Sequence, residues 1–138
     1  MSIDRARLFD VLAAVPFERG RWVVAGSGPL LAMSIVDAIE DIDIVADARA
    51  WLAAIEVATG AGRRGLFGDH LVALGVGGLE VEVFDGWLGI GAGSMIAEAV
   101  EIDGYLFAPL ERVAESKRTL GRPNDLVHLA RIEALLGE

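Results

Sequence analysis

An alternation of acidic and aliphatic residues in the first third of the chain limits its fold more than any other segment. Residues 41–45 read Asp-Ile-Asp-Ile-Val, the pattern of a β-strand with one buried face. Because successive side chains of a strand point to opposite faces, Asp41 and Asp43 project together while the isoleucines enter the core. Two adjacent carboxylates repel each other, so this segment predicts an acidic face that needs cations beside it.

A second acidic strand is indicated at residues 79–84, which read Leu-Glu-Val-Glu-Val-Phe. Its alternation places Glu80 and Glu82 on one face and the valines on the other. Two glycines separate this segment from the apolar run 71–76, which predicts a hairpin with a two-residue turn. Either glutamate can therefore lie beside the aspartate pair if the two acidic strands are neighbours.

The rest of the chain alternates between helical and strand patterns with no internal linker, and proline and glycine mark most of the boundaries. We expect one α+β domain over residues 1–138: a mixed or antiparallel β-sheet flanked by helices in a core of about residues 20–107, and two further helices at about residues 109–136. A loop is expected at residues 59–65 and a flexible connection at the glycine-rich residues 86–93. The predicted helices cover residues 3–14, 27–36, 48–57, 109–120 and 123–136, and the predicted strands cover residues 22–25, 41–46, 71–76, 79–84, 100–102 and 105–107.

Cysteine is absent, so the chain has no disulfide and no thiolate metal site, and a reducing cytoplasm is the expected location. The first residues are charged and amphipathic rather than typical of a signal peptide, since no apolar segment follows them. The most apolar window, residues 86–100, is interrupted by glycines and is shorter than the roughly 20 residues that a bilayer requires. We therefore expect no association with a membrane.

The formal net charge of −9 restricts the partners of this chain. Binding to nucleic acid in general depends on Lys and Arg that neutralise phosphates, so no general DNA binding is expected. A nucleotide substrate is affected less, because metal ions can offset its charge. With 54% hydrophobic residues and a mean hydropathy of +0.48, the chain suits a homodimer or a partner protein that covers apolar surface, although its many alanines and valines alone would give the same values.

A Gly-Ser pair directly follows the strand predicted at residues 22–25. Gly26 has no side chain to block a ligand, and Ser27 supplies a hydroxyl at the start of a helix, where backbone N–H groups favour anions. Carboxylates suit Mg²⁺, which is usually bound by one or two of them together with substrate phosphates. The pair Gly26-Ser27 combined with Asp41 and Asp43 therefore favours a metal-dependent phosphate site over an ordinary turn beside a solvated strand face.

Together these motifs resemble the nucleotidyltransferase superfamily, which includes DNA polymerase beta, kanamycin nucleotidyltransferase and the small bacterial transferases of toxin–antitoxin operons. The superfamily pattern is a hydrophobic residue with Gly-Gly or Gly-Ser, a short spacer, an Asp-x-Asp segment and a later acidic strand position. A Lys…Gly-Arg-Pro-Lys-Asp segment marks the C-terminal helices of its small single-domain members. The matching segments are 25–27, 41–44, 81–83 and 117–126, within a stretch from Trp22 to about Leu136.

The resemblance implies a reaction, the transfer of an NMP group from an NTP to a hydroxyl of a protein, an RNA or a small molecule. It implies that Asp41, Asp43 and Glu82 bind Mg²⁺, or Mn²⁺ in its place. Glu82 would complete this metal site and accept the proton of the hydroxyl, with Glu80 as the second choice on the same face.

The resemblance also implies how the triphosphate is held. Gly26 and Ser27 would contact it through the turn after the first strand, and Lys117 and Arg122 would supply positive charge from the C-terminal helices. Further candidates for the triphosphate are Arg63, Arg64 and Arg118.

Two residues depart from the superfamily pattern. Glu82 stands where aspartate is most frequent, and Glu40 stands beside Asp41 where Ser, Thr or Arg is common. Both departures favour a second interpretation, a catalytically silent member that keeps the fold as a binding or dimerisation module, for example as half of a toxin–antitoxin pair. A metal-dependent phosphohydrolase is a third, less favoured interpretation because its usual histidines are missing. The motifs specify neither the base of the NTP nor the acceptor.

Overall fold

The computed structural model describes residues 2–65 and 69–137, which form an α+β fold in which helices flank a mixed seven-strand sheet. This fold class, with its two C-terminal helices, is the one predicted from the sequence. The strands are β1 (Trp22–Ala25), β2 (Asp43–Ala46), β3 (Arg63–Arg64), β4 (His70–Val76), β5 (Leu79–Phe84), β6 (Gly86–Trp87), β7 (Ile90–Gly91), β8 (Val100–Ile102) and β9 (Tyr105–Phe107). The helices are α1 (Arg5–Ala13), α2 (Gly28–Ala32), α3 (Ala48–Val57), α4 (Ala92–Ala97), α5 (Leu110–Leu120) and α6 (Pro123–Leu136).

The main sheet has the strand order β3-β4-β5-β2-β1-β9-β8, and β6 and β7 form a separate ribbon. Strand β2 is parallel to β5 and β1 is parallel to β9, whereas the other pairs are antiparallel. In this register Asp43 lies opposite Ala25 on one side and opposite Glu82 on the other. The sheet therefore brings the turn after β1 and the acidic residue of β5 to the two sides of Asp43.

The turn and cap signals of the sequence are confirmed at several boundaries. Two glycines connect β4 to β5, and Asp103 with Gly104 connects β8 to β9. Helix α3 begins where predicted because Asp47 Oδ1 accepts a hydrogen bond from the backbone N–H of Ala50 at 3.0 Å. At these boundaries, local signals determine where the elements begin and end.

The core is formed by the apolar residues of the alternating strands and by the helices that cover them. All four residues of β1 are buried, so both faces of the sheet are covered at its centre. Ile44 and Val83, from the two acidic strands, have no exposed surface. Burial of side chains of this size stabilises a fold by about 1.5–3 kcal/mol each, and it holds the acidic side chains of these strands at the margin of the core.

The two C-terminal helices pack against each other and meet at a sharp turn. Helix α5 ends at Gly121, whose φ of 59° is a left-handed conformation that glycine adopts without steric cost. Pro123 then begins α6, a position where its missing N–H costs nothing. Lys117 and Asp125 are both buried beside this turn. None of the helices within residues 2–65 and 69–137 combines the length and the apolarity of a membrane-spanning segment.

The second strand begins at Asp43, two residues later than predicted. Because β1 ends at Ala25, the partner of Asp43, and the chain then turns at Gly26, no residue of β1 remains to pair with Asp41. The prediction that Asp41 and Asp43 share a face as members of one regular strand is therefore wrong. Their common placement depends on the segment that leads into β2.

Three other boundaries differ from the prediction. Helix α2 is about a turn shorter, because Ser34 has a φ of 60°, outside the helical region. Residues 63–64 form the edge strand β3 instead of a loop. The glycine-rich residues 86–93 form the β6–β7 ribbon and the start of α4 instead of a flexible connection, because Trp87 pairs with Ile90 across the ribbon.

Candidate functional site

A cavity of about 510 Å³ lies between the turn after β1, the segment before β2 and the two C-terminal helices. Its walls come from segments that are far apart in the sequence. Six of the seven site residues expected from the sequence line this cavity: Gly26, Ser27, Asp41, Asp43, Lys117 and Arg122. The seventh, Glu82, lines a smaller cavity of about 250 Å³, to which Asp41 and Asp43 also contribute.

Gly26 lies directly against the carboxylate of Asp43. Its φ is +65°, and a Cβ built at this position would lie 2.5 Å from Asp43 Oδ2. Any other residue would have to displace the carboxylate as well as adopt a left-handed backbone. The turn therefore allows the backbone and an acidic side chain to approach each other at the edge of the cavity.

Ser27 occupies the N-cap position of α2, but its side chain does not cap that helix. Its hydroxyl instead accepts a hydrogen bond from Lys117 Nζ at 2.6 Å and lies 3.5 Å from His128 Nδ1. The cap expected from the sequence is thus replaced by a contact with α5 and α6. This contact joins the first motif of the chain to the last.

Asp43 has an unusual proton affinity. The pKa of Asp43 is raised to about 7, first by burial and then by the negative charges of Glu82 and Asp41, while Lys117 and Arg122 act in the opposite direction. Asp41, outside the strand, is more exposed and lines both cavities with Asp43. The two aspartates therefore line the same cavities, although only Asp43 belongs to the strand that was predicted to hold both.

Glu82 is beside Asp43 in the sheet, but its carboxylate binds a cation of the protein. Arg63 Nη2 donates to Glu82 Oε2 at 2.9 Å, in an ion pair at the edge of the sheet. Glu80, the second choice on this strand, is exposed and lines neither cavity. Within the part of the chain that the structure describes, no group of three or more His, Asp or Glu side chains is arranged to hold a metal ion.

Lys117 and Asp125 form a buried ion pair in the wall of the cavity. The distance from Lys117 Nζ to Asp125 Oδ1 is 3.1 Å, and the two side chains are 4% and 2% exposed. Arg122 Nε donates to the other oxygen, Asp125 Oδ2, at 2.6 Å, and the backbone N–H of Arg122 donates to the same oxygen at 3.2 Å. One buried carboxylate thus holds both of the cationic residues that were expected to meet the triphosphate.

The cationic neighbours of Asp125 favour its ionised form. Burial by itself raises the pKa of Asp125, but the hydrogen bonds from Arg122 and Lys117, together with their charges, outweigh it and hold the pKa below its usual range. The carboxylate therefore remains charged near neutral pH. Lys117 and Arg122 therefore share a charged partner, and both residues line the cavity.

Sequence reasoning assigned no role to several residues of this cavity. Asp125 had a recognisable signal, an acidic residue three positions after Arg122 in the first turn of a helix, which is a capping arrangement. His128 lies one helical turn after Asp125 on the same face, a placement that only the packing of α6 reveals. Trp87 donates from Nε1 to Ser116 Oγ at 2.9 Å, and both line the cavity.

The three further arginines proposed for the triphosphate do not line either cavity as the structure describes them. Arg63 binds Glu82, and Arg118 Nη2 lies 3.7 Å from Glu133 Oε2. Arg64 is exposed on β3. Positive charge at the cavity therefore comes from Lys117 and Arg122.

The donor set of Asp41 and Asp43 fits Mg²⁺. Both supply hard oxygen atoms, and their mutual repulsion, which contributes to the raised pKa of Asp43, is relieved by a bound cation. Two carboxylates leave most of the six positions around Mg²⁺ for phosphate oxygens and water, which is the usual arrangement for this ion. The residues present are therefore compatible with a metal that binds together with a nucleotide.

Comparison with protein-family models, with curated proteins and with solved structures finds no match for this chain. The functional assignment of the site therefore depends on its geometry and on the chemistry of its residues.

Proposed function

We propose that this protein is a Mg²⁺-dependent nucleotidyltransferase that moves an NMP group from an NTP to a hydroxyl of an acceptor. The observation that carries the proposal is the convergence of three distant segments on one cavity: the Gly26-Ser27 turn, the aspartate pair and the Lys117–Arg122 segment. Each segment supplies a different requirement of phosphoryl chemistry, namely close backbone approach, metal ligands and positive charge.

The residues divide the cavity into a cationic side and an acidic side. Lys117 and Arg122 lie on the side formed by α5 and α6, where they would bind the β- and γ-phosphates and the departing pyrophosphate. Gly26 and Ser27 stand between the two sides, so the triphosphate can pass close to the backbone there. This arrangement supports binding of the nucleotide with its α-phosphate near Asp41 and Asp43.

Asp41 and Asp43 are the residues that would hold Mg²⁺. When bound there, the ion would supply a Lewis acid that polarises the phosphoryl oxygens and offsets the charge of the leaving group. Asp43, whose pKa is about 7, must release its proton to become a ligand, so metal binding is coupled to proton release at this side chain. Glu82 is the residue we propose to accept the proton of the attacking hydroxyl, which requires it to leave Arg63.

The proposal is tested by binding and by transfer. Calorimetric titration of each NTP, with and without Mg²⁺, should show metal-dependent binding that is lost in the Asp41→Asn/Asp43→Asn variant. The matched control is Asp10→Asn, which changes an exposed aspartate of α1 that lies outside both cavities. An NTP labelled at the α-phosphate should then label an acceptor in a cell lysate. Absence of any label with all four NTPs would remove the proposed activity.

A second candidate function is a catalytically silent module that keeps this fold for binding or dimerisation. The specific observation in its favour is the Arg63–Glu82 ion pair, which occupies the third carboxylate. Exposed apolar residues on α3, with Leu52 at 64% and Ile55 at 48% exposed, supply a surface that a second copy or a partner protein could cover. Sedimentation of the wild type should show a dimer under this hypothesis, with no dependence of nucleotide binding on Mg²⁺.

We also propose a cytoplasmic location, which the lack of cysteine favours. The proposed partners are an NTP and a hydroxyl-bearing acceptor.

A further inference from the structure

The hydroxyl of Ser27 is held by two side chains of the C-terminal helices. Lys117 Nζ lies 2.6 Å from Ser27 Oγ. An ammonium group has only donors, so Ser27 must accept this hydrogen bond, and its own hydrogen is left to donate elsewhere. Among the described residues, the second side-chain contact of this hydroxyl is with His128 Nδ1, at 3.5 Å. The bond from Lys117 thus leaves the hydrogen of the serine available to His128.

The contact between Ser27 and His128 is weak enough for another acceptor to replace the imidazole. A distance of 3.5 Å is at the outer limit for a hydrogen bond, so the contact is weak. A phosphate oxygen is a charged acceptor and makes a stronger bond with a hydroxyl than a neutral imidazole does. A polyphosphate that enters the cavity can therefore replace His128 as the acceptor of the hydrogen bond from Ser27.

His128 is placed to respond to that exchange. It is 8% exposed, and the charged residues that face it are Lys117 from α5 and Asp125 and Arg131 from its own helix. Burial lowers the pKa of His128, and the charges of Lys117 and Arg131 lower it further, while Asp125 opposes them. The lowered pKa favours the neutral imidazole near pH 7, and in the tautomer that carries its hydrogen on Nε2 the Nδ1 atom accepts from Ser27.

We propose that His128 is a positioning residue for the Ser27 hydroxyl, and that polyphosphate binding at Ser27 releases His128 to take up a proton from solvent. The serine keeps its hydrogen and only turns it from the imidazole to a phosphate oxygen. The proton that joins Nδ1 adds a positive charge beside a polyanion. His128 therefore acts twice, first as an acceptor that orients Ser27 and then as a cation that supports the bound phosphates.

The sign of the pH dependence follows from this exchange. If the pKa of His128 is higher in the complex than in the free protein, the complex binds more protons. Affinity for the polyphosphate is then greatest below the pKa of the free protein and decreases as the pH rises through the pKa of the complex. If binding raises the pKa by one unit, the affinity below the pKa of the free protein is about tenfold greater than the affinity above the pKa of the complex.

The chain has two histidines, which makes the direct test simple. Imidazole signals of both are followed by NMR between about pH 5 and 8, with and without inorganic triphosphate and with divalent cations removed by chelation. The pKa of His128 should rise by about one unit on binding. His70, exposed and paired with Asp85 at 3.1 Å, lies outside the larger cavity and serves as the internal control. An unchanged pKa of His128, or an equal rise at His70, would overturn the proposal.

A variant separates the two roles of His128. In His128→Asn the amide oxygen takes the place of Nδ1 as an acceptor but cannot gain a charge. We expect affinity for inorganic triphosphate near that of the wild type at about pH 8, without the tenfold tightening of the wild type at about pH 5. Titration of Asp43 and of the phosphates is common to both proteins, so it cancels in the comparison. His70→Asn is the matched control and should titrate like the wild type.

The inference depends on the proposed function only in that the cavity accepts a polyphosphate. If triphosphate binds and raises the pKa of His128 but no NMP transfer occurs, the inference stands and the proposed reaction fails. If triphosphate binds without changing that pKa, the inference fails and the proposed reaction is untouched. If triphosphate does not bind at all, the inference fails and the phosphate side of the proposed function fails with it.

Discussion

Gly26 and Asp43 touch each other across the turn that follows β1: a Cβ at position 26 would come within 2.5 Å of Asp43 Oδ2. This contact brings the backbone of the Gly26-Ser27 turn against a carboxylate of the aspartate pair. It also depends on the left-handed conformation of Gly26, with a φ of +65°. The relationship makes the geometry of the site sensitive to a single methyl group.

Gly26→Ala should therefore damage both stability and metal binding. The left-handed backbone costs alanine about 1–2 kcal/mol, and displacement of the Asp43 carboxylate adds to that loss. Urea denaturation and Mg²⁺ titration in the presence of NTP measure the two effects. The control is Gly93→Ala, because a Cβ at Gly93 would meet nothing within 4 Å. Equal behaviour of the two variants would refute the role assigned to the contact.

Asp43→Asn should stabilise the protein at high pH when divalent cations are absent. The pKa of Asp43 is about 7 in the folded protein against an ordinary value of 3.8. Between these two pH values the folded state holds a proton that the unfolded state has lost. That stabilising contribution is fully present below 3.8 and is lost as the pH rises through about 7. The loss amounts to roughly 4 kcal/mol.

Asparagine resembles the protonated aspartate and escapes this loss. The variant should be the more stable protein at about pH 8, with a difference of up to roughly 4 kcal/mol that narrows toward about pH 4. Urea denaturation across this range, with a chelator present, measures the difference. A constant difference at all pH values would show that the proton is not bound at Asp43.

The buried pair of Lys117 and Asp125 should respond asymmetrically to mutation. Asp125→Asn leaves the buried ammonium of Lys117 without a counterion and should cost about 3–5 kcal/mol of unfolding free energy. Lys117→Met leaves Asp125 with Arg122 as a partner, at 2.6 Å, and should cost less, about 1–3 kcal/mol.

The double variant tests whether these two residues act as a pair. Lys117→Met/Asp125→Asn should cost clearly less than the sum of the single variants, since neither charge is then left alone. Chemical denaturation of the four proteins completes the cycle. Strict additivity would mean that the ion pair seen at 3.1 Å contributes no coupling.

Arg63→Gln should increase the affinity of the site for Mg²⁺. The substitution frees the carboxylate of Glu82, which lies beside Asp43 in the sheet, and adds uncompensated negative charge there. Because the Arg63 side chain is 61% exposed, stability should change by about 1 kcal/mol or less. Calorimetry with Mg²⁺ and NTP measures the affinity, for which we expect a severalfold gain.

The neighbouring residue provides the control for this experiment. Arg64→Gln removes the same charge from the same edge strand, but Arg64 lines neither cavity and does not pair with Glu82. A gain of equal size in both variants would mean that general electrostatics, and not the release of Glu82, changes the metal affinity.

The site was predictable where the chemistry is local. A glycine followed by serine after an apolar strand, and two aspartates separated by one isoleucine, can be recognised without knowing any contact, and both line the cavity. Asp125 and His128 could not be assigned in the same way. Their importance arises from Lys117 and Ser27, which lie 8 and 101 residues away along the chain.

The strand position of Glu82 was predictable from the sequence, but the partner of its carboxylate was not. Its alternation with valines correctly predicts a strand residue on the acidic face, and the register with Asp43 follows from the order of the strands. The pattern says nothing about Arg63, which comes from a short edge strand 19 residues earlier and binds the carboxylate at 2.9 Å. Whether the carboxylate of Glu82 binds the arginine or the proposed metal ion depends on which partner is near it in the folded protein, and a periodic pattern does not describe that.

The sequence by itself determined the α+β class, the hairpin turns and most helix boundaries, because side-chain alternation, glycine, proline and capping residues act over a few neighbouring positions. Only the tertiary structure decided that β2 begins at Asp43, that Ser27 contacts Lys117 instead of capping α2, and that Asp125 holds two cations at once. These are contacts between segments far apart in the chain. Their energies depend on burial and on the nearest competing charge, which exist only once the chain has folded.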